Sequence, residues 1–126
     1  MPAFERTIHV LPADIDELGH VNNVVFVRWV QEVAAAHWEA VAPQHLRSQF
    51  KWVVLRHEID YRHPAFEGQT ISGTTWVGEH YGARFDRFVK LECEGRTLAE
   101  AKTVWCMIGA QSGKPVRITA EVLALL

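Results

Sequence analysis

The sequence predicts an α+β fold, one long helix laid against an antiparallel sheet of about five strands. Three observations predict it. Only one stretch, ending at Ala42, carries a long helical repeat of apolar residues. From Lys51 to Ala110, strand-like segments follow one another through tight turns. The chain has 126 residues, enough for one substantial core but not for two, so residues 1–126 are expected to form one domain.

In chain order, Arg6 to Leu11 alternates as a first strand and is stopped by Pro12. Pro12 to Val21 reads as a loop. The helix then begins at Asn22 or Asn23, either of which suits a cap. Phe26, Val30, Val33 and His37 form one stripe; Val27, Val30, Ala34, Trp38 and Val41 form another. Because the stripes overlap, this helix is expected to be covered on several sides. Pro43 disfavours helical geometry in the residue before it, which ends the helix near Ala42. Gln44 to Phe50 is a polar connection with room for one helical turn.

Trp52 to Arg62 is expected to point Val53, Leu55, His57, Ile59 and Tyr61 to one face, and Arg56, Glu58, Asp60 and Arg62 to the other. His63-Pro64 and Glu67-Gly68 bracket a turn. Thr70 to His80 is the next strand, with Gly73 and Gly78 at positions suited to bulges. Tyr81-Gly82 turns the chain into Ala83 to Cys93, and Glu94-Gly95-Arg96 turns it again into Thr97 to Ala110, the longest strand. After a surface turn at Gln111 to Pro115, Thr119 to Leu126 suits a short capped helix.

Composition narrows the function. The apolar fraction is 48% and the formal charge is −2, which argues against disorder and against a general nucleic-acid binder. No apolar run is long enough to span a membrane. The start, MPAFERTIHV, lacks the pattern of a signal peptide, so a cytoplasmic protein is expected. Cys93 and Cys106 both fall in strands and read as buried thiols of a reducing compartment. The serines, Ser48, Ser72 and Ser112, sit in no glycine-framed elbow. Neither glycine-rich phosphate loop is present. The 7 histidines show no metal-binding pairing, and no metal is expected.

What remains is Asp16 to Asn23, which reads D-x-x-G-H-V-N-N. A helix N-terminus presents unpaired backbone N–H groups and a partial positive charge. Such amides can polarise a carbonyl oxygen and stabilise the oxyanion formed on attack. A nearby carboxylate can attack the carbonyl or take a proton from attacking water. Spacing alone leaves a second reading open, in which Asp14 or Asp16 caps the turn, His20 packs and the asparagines end a loop.

The segment D-x-x-G-H-V-N-N, followed by an apolar helix with Trp29 and Glu32, resembles the signature of hotdog-fold acyl-CoA thioesterases. The branch it is most similar to includes 4-hydroxybenzoyl-CoA thioesterase. Glu58-Ile59-Asp60-Tyr61 with Pro64, Gly95 to Ala99, and Ser112 to Val116 resemble later pieces of that family. The resemblance implies an acyl-CoA thioesterase with Asp16 as nucleophile or general base and Asp14 without a chemical role. It implies that Gly19 and His20 form the turn beside the substrate carbonyl, and that the backbone amide of Asn23 polarises the thioester oxygen. It implies no cofactor, coenzyme A being part of the substrate, and a homodimer joined edge to edge, with further pairing into a homotetramer. Asn23 and Pro12 depart from branches that carry His or Tyr, and an aromatic residue, at those positions. Two other readings are a hydratase or dehydratase acting on acyl thioesters, and a non-catalytic acyl-CoA binder.

Other residues have structural expectations. Glu32 is read as making a structural hydrogen bond. Trp29, Trp38, Trp76 and Trp105 are read as core or interface, and His57 as packed with its polar atoms satisfied. Arg56, Arg62, Arg84, Arg87 and Lys90 fit either a solvated strand face or contacts to coenzyme A phosphates.

Overall fold

The computed structural model describes residues 3–126; Met1 and Pro2, which begin the stretch read as lacking a leader, lie outside the described residues. Five strands form one antiparallel sheet: β1 (Phe4–His9), β2 (Phe50–Tyr61), β3 (Thr70–Tyr81), β4 (Arg84–Cys93) and β5 (Arg96–Gly109). Their spatial order is β1-β3-β4-β5-β2, so β1 and β2 are the edges. Helix α1 (Asn23–Val41) packs on β1, β3 and β4. A single 3-10 turn at Pro12–Asp14, in the stretch read as a loop, and two six-residue helices, α2 (Gln44–Gln49) and α3 (Ala120–Leu125), complete the elements of the described residues. This is the α+β architecture expected. No helix among the described residues is long and apolar enough to cross a membrane.

Asn22 caps α1, its side-chain oxygen accepting from the N–H of Val24 at 2.8 Å. Ala42 ends the helix in extended geometry, as the following Pro43 demands. Phe26, Trp29, Val30, Val33 and Ala34 form its buried side and meet Ile71, Val89, Leu91, Ala99 and Ala101 from the sheet. Coverage is less complete than the overlapping stripes suggest. Val24, Arg28, Glu32, Ala35 and Glu39 form an exposed stripe along the helix. Beyond Trp38 a second cluster takes over, joining Leu46, Phe50, Val77, Phe85, Met107, Ile118 and Val122. The terminal helix closes it, capped by Thr119 as its sequence suggests.

Two glycines on β3 differ in purpose. The register slips between Val77 and His80, so Gly78 belongs to a bulge. Gly73 lies in regular register opposite Arg6 and Leu91. What it provides is space: a Cβ there would sit 2.6 Å from Cγ2 of Val33.

Strand β2 corrects its expected alternation. A register shift between Val54 and Arg56 reverses the parity halfway along. His57 and Ile59 are half-buried as expected, but Val53 and Leu55 are exposed, and Phe50, Trp52 and Val54 turn inward instead. His57 is packed but not satisfied, since its Nδ1 is buried without a hydrogen-bond partner among the described residues. Trp29 and Trp38 are core, whereas Trp76 is half-buried and stacks on Phe88 at 5.8 Å. Glu32 is exposed and pairs with Arg28 at 3.2 Å. Both cysteines are buried free thiols, and burial pushes the Cys93 thiol up.

Candidate active site

The chain reaches α1 through a small hairpin. Ile15 and Val21 bridge in antiparallel fashion, and the N–H of Asp16 donates to the carbonyl of His20 at 3.0 Å. The tip closes by a bond of 3.0 Å from the N–H of Gly19 to the carbonyl of Asp16. Gly19 stands at φ 84°, a left-handed geometry that glycine adopts without steric cost. The base is pinned by the N–H of Val21 on Ala65 at 2.8 Å and the N–H of Asn22 on Asp14 at 3.1 Å.

This frame gives the two aspartates opposite surroundings. Asp14 is buried, accepts from the N–H of Leu11 at 2.9 Å and pairs with Arg28 at 3.0 Å. Its oxygens are committed to holding the loop and helix together. Asp16 is half-buried and has no ion pair among the described residues. One oxygen accepts from the N–H of Leu18 at 2.9 Å, the other from the side-chain amide of Asn22 at 3.3 Å. Asn22 therefore has two tasks, its oxygen capping the helix and its nitrogen holding the carboxylate.

Asn23 opens the helix and is exposed. As a first-turn residue its N–H has no intrahelical acceptor, and none of the hydrogen bonds among the described residues involves it. Its carbonyl accepts from the hydroxyl of Tyr61 at 3.3 Å. A groove of about 200 Å³ lies there, walled by His20, Val21, Asn23, Phe26, Tyr61 at the end of β2 and the residues that follow it, Arg62 to Pro64. The half-buried ring of His20 meets Phe66 edge-on, with Nδ1 3.3 Å from the carbonyl of Val21.

Of the four residues singled out from sequence, His20 and Asn23 line this groove. Asp16 and Gly19 stand in the adjoining hairpin and are not among its walls. Tyr61 and the double task of Asn22 escaped the sequence reading. Tyr61 lies 38 residues from its partner, and no local pattern signals such a contact.

Most basic candidates for a phosphate are engaged. Arg56 pairs with Glu58, Arg62 with Glu100 at 2.9 Å and Lys90 with Glu92. Arg87 is no surface cation but 6% exposed, which corrects the solvated-face reading. Arg84 is exposed with no ion pair among the described residues. Among those residues, no group of three or more His, Cys, Asp or Glu is placed to hold a metal ion.

Comparison with known proteins adds to this geometry. The family model described as the thioesterase-like superfamily matches residues 10–126. No curated protein matches the chain. Among solved structures, a predicted thioesterase from Bacillus stearothermophilus superposes with a TM-score of 0.88 at 19% identity, over 98% of this chain and 94% of that one. The probable thioesterase YbaW from Escherichia coli gives 0.81 at 21%, over 96% and 94%. A thioesterase complexed with coenzyme A and Zn from Thermus thermophilus gives 0.83 at 22%, over 95% and 88%. At these identities the structural likeness is one of fold.

Proposed function

The chain belongs to the thioesterase-like superfamily and has the hotdog fold, and from that premise we propose that it hydrolyses acyl-CoA thioesters to a free acid and coenzyme A. The observation that carries the proposal is the arrangement around Asp16. A carboxylate without an ion pair among the described residues is oriented by Leu18 and Asn22, in the turn that leads directly to the unpartnered amide of Asn23.

In this reading the thioester carbonyl oxygen accepts from the Asn23 N–H, where the helix dipole favours developing negative charge. Asp16 acts on the carbonyl carbon, either attacking it to give an acyl anhydride that water then opens, or taking a proton from the attacking water. On either route water supplies the hydroxyl of the acid, the carbon–sulfur bond breaks, and the sulfur leaves as thiolate or thiol. Gly19 lets the hairpin tip turn close to the substrate, and His20 forms the groove wall beside it. The thioesterase from Thermus thermophilus with coenzyme A bound supports this choice of thioester.

The reading includes a homodimer. Among the described residues strand β2 leaves one edge unpaired, and Val53 (39% exposed) and Leu55 (49% exposed) lie on that strand. An uncovered edge of this kind invites pairing with another strand. The test of function is a panel of acyl-CoA thioesters with a thiol reagent. Thiol release supports the proposal. Hydration of an enoyl-CoA without thiol release, or calorimetric binding without turnover, would replace it with one of the two alternatives.

A further inference from the structure

A cavity of about 410 Å³ lies between the second half of α1 and the start of β2, in the size range of ligand sites. It is remote from the Asp16 hairpin within one chain. Its first wall residue on α1, Ala34, is eleven residues beyond Asn23, about 16 Å along the helix axis. The wall includes Trp38, Trp52 and Phe85, whose rings meet with centroids 5.7 and 6.2 Å apart.

Arg87 forms part of this wall and is nine-tenths buried. Its side-chain hydrogen bonds among the described residues both leave from Nη1, to Nδ1 of His37 and to Oγ1 of Thr75, each at 3.0 Å. An arginine cannot accept, so His37 Nδ1 carries no proton, and burial together with the neighbouring guanidinium lowers the His37 pKa to about 4. Neither partner therefore brings negative charge. No ion pair among the described residues involves Arg87, and Nε and Nη2 have no protein partner there. Taking a guanidinium out of water is costly unless an anion offsets it. Burial accordingly pulls the Arg87 pKa down to about 10. Elsewhere the wall carries Arg47, Lys51 and Glu39, and it includes Leu126, the last residue given, so Arg87 alone marks where an anion would sit. The indole N–H of Trp52 is a further buried donor without a partner among the described residues.

We propose that this cavity binds the carboxylate of an aromatic or similarly flat apolar acid, the anion on Arg87 and the body among the Trp38, Trp52 and Phe85 rings. A planar anion with two oxygens matches the fork left by Nε and Nη2. The aromatic wall favours an acid with a ring over inorganic phosphate. The inference goes beyond thioester hydrolysis and does not rest on it.

The test is calorimetry on the intact protein with three probes: biphenyl-4-carboxylate, biphenyl-4-carboxamide and inorganic phosphate. The acid is expected to bind roughly tenfold or more tightly than the neutral amide, and phosphate not to displace it. In Arg87→Met the preference of acid over amide should vanish. Should that variant fail to fold, Ala35→Trp serves instead, since Ala35 is an exposed wall residue and the indole would fill the opening. It should keep the wild-type melting temperature and lose acid binding. Equal affinity for acid and amide would overturn the proposal, as would phosphate binding as tight as the acid, undiminished acid binding in Ala35→Trp, or no binding at all.

Discussion

The guanidinium of Arg87 on β4 donates to Nδ1 of His37 on α1 across 3.0 Å, with Phe4 stacked on the imidazole at 5.2 Å. The bond requires a neutral His37. Its pKa falls from 6.5 to about 4, chiefly through burial and secondly through Arg87. Between those values the unfolded chain binds the proton more readily, so stability must rise with pH. The contribution is complete above about pH 6.5 and disappears as pH falls through 4. His37→Gln keeps a polar side chain but does not titrate. Its melting temperature should fall less steeply than that of the wild type between pH 6.5 and 4. Parallel profiles would show that His37 is not the titrating group.

Asn22 serves the helix and the carboxylate at once. Asn22→Ala should cost about 0.5–2 kcal/mol of stability through loss of the cap. Asn22→Ser retains an oxygen for capping but no amide for Asp16. It should melt near the wild type, yet turn over roughly tenfold more slowly, the order expected for losing a hydrogen bond to a charged group. Wild-type turnover in the serine variant would separate Asn22 from the chemistry.

Asp14 provides the complementary control. Asp14→Asn weakens the pair with Arg28 and leaves the loop less firmly held. A loss of about 1–3 kcal/mol is expected in chemical denaturation. Thiol release below the melting range should stay near the wild-type rate. Loss of turnover without loss of stability would exchange the roles of the two aspartates.

Gly73 and Val33 are coupled by contact. Gly73→Ala should destabilise by about 1–3 kcal/mol, since its methyl would collide with a fully buried valine. Val33→Ala also destabilises, by loss of packing, but the double variant should lose less than the sum of the two. Strict additivity would show that the collision is relieved elsewhere.

These cases show what was legible in the sequence. The helix, its stop at Pro43 and the turns at Gly82 and Gly95 are local signals, written within a few residues. The architecture of a helix on an antiparallel sheet followed from one helix and consecutive hairpins, and the hotdog fold from the resemblance that D-x-x-G-H-V-N-N carries to the family. The bulge in β2 was not legible, because Val53 to Tyr61 alternates smoothly through the position where the register slips. Arg87 was legible in principle. It shares parity with Phe85, Val89 and Leu91, and only its charge disguised an inward position. The contact of Tyr61 with Asn23 depends on how the end of β2 meets the start of α1, which no short window contains.

The most direct measurement is thiol release from a panel of acyl-CoA thioesters by the wild type and by Asp16→Asn, with melting curves taken alongside. Release by the wild type is predicted, falling about a hundredfold or more in the variant while its melting temperature stays unchanged. An Asp16→Asn protein that melts like the wild type and hydrolyses the same thioesters at the same rate would contradict the account.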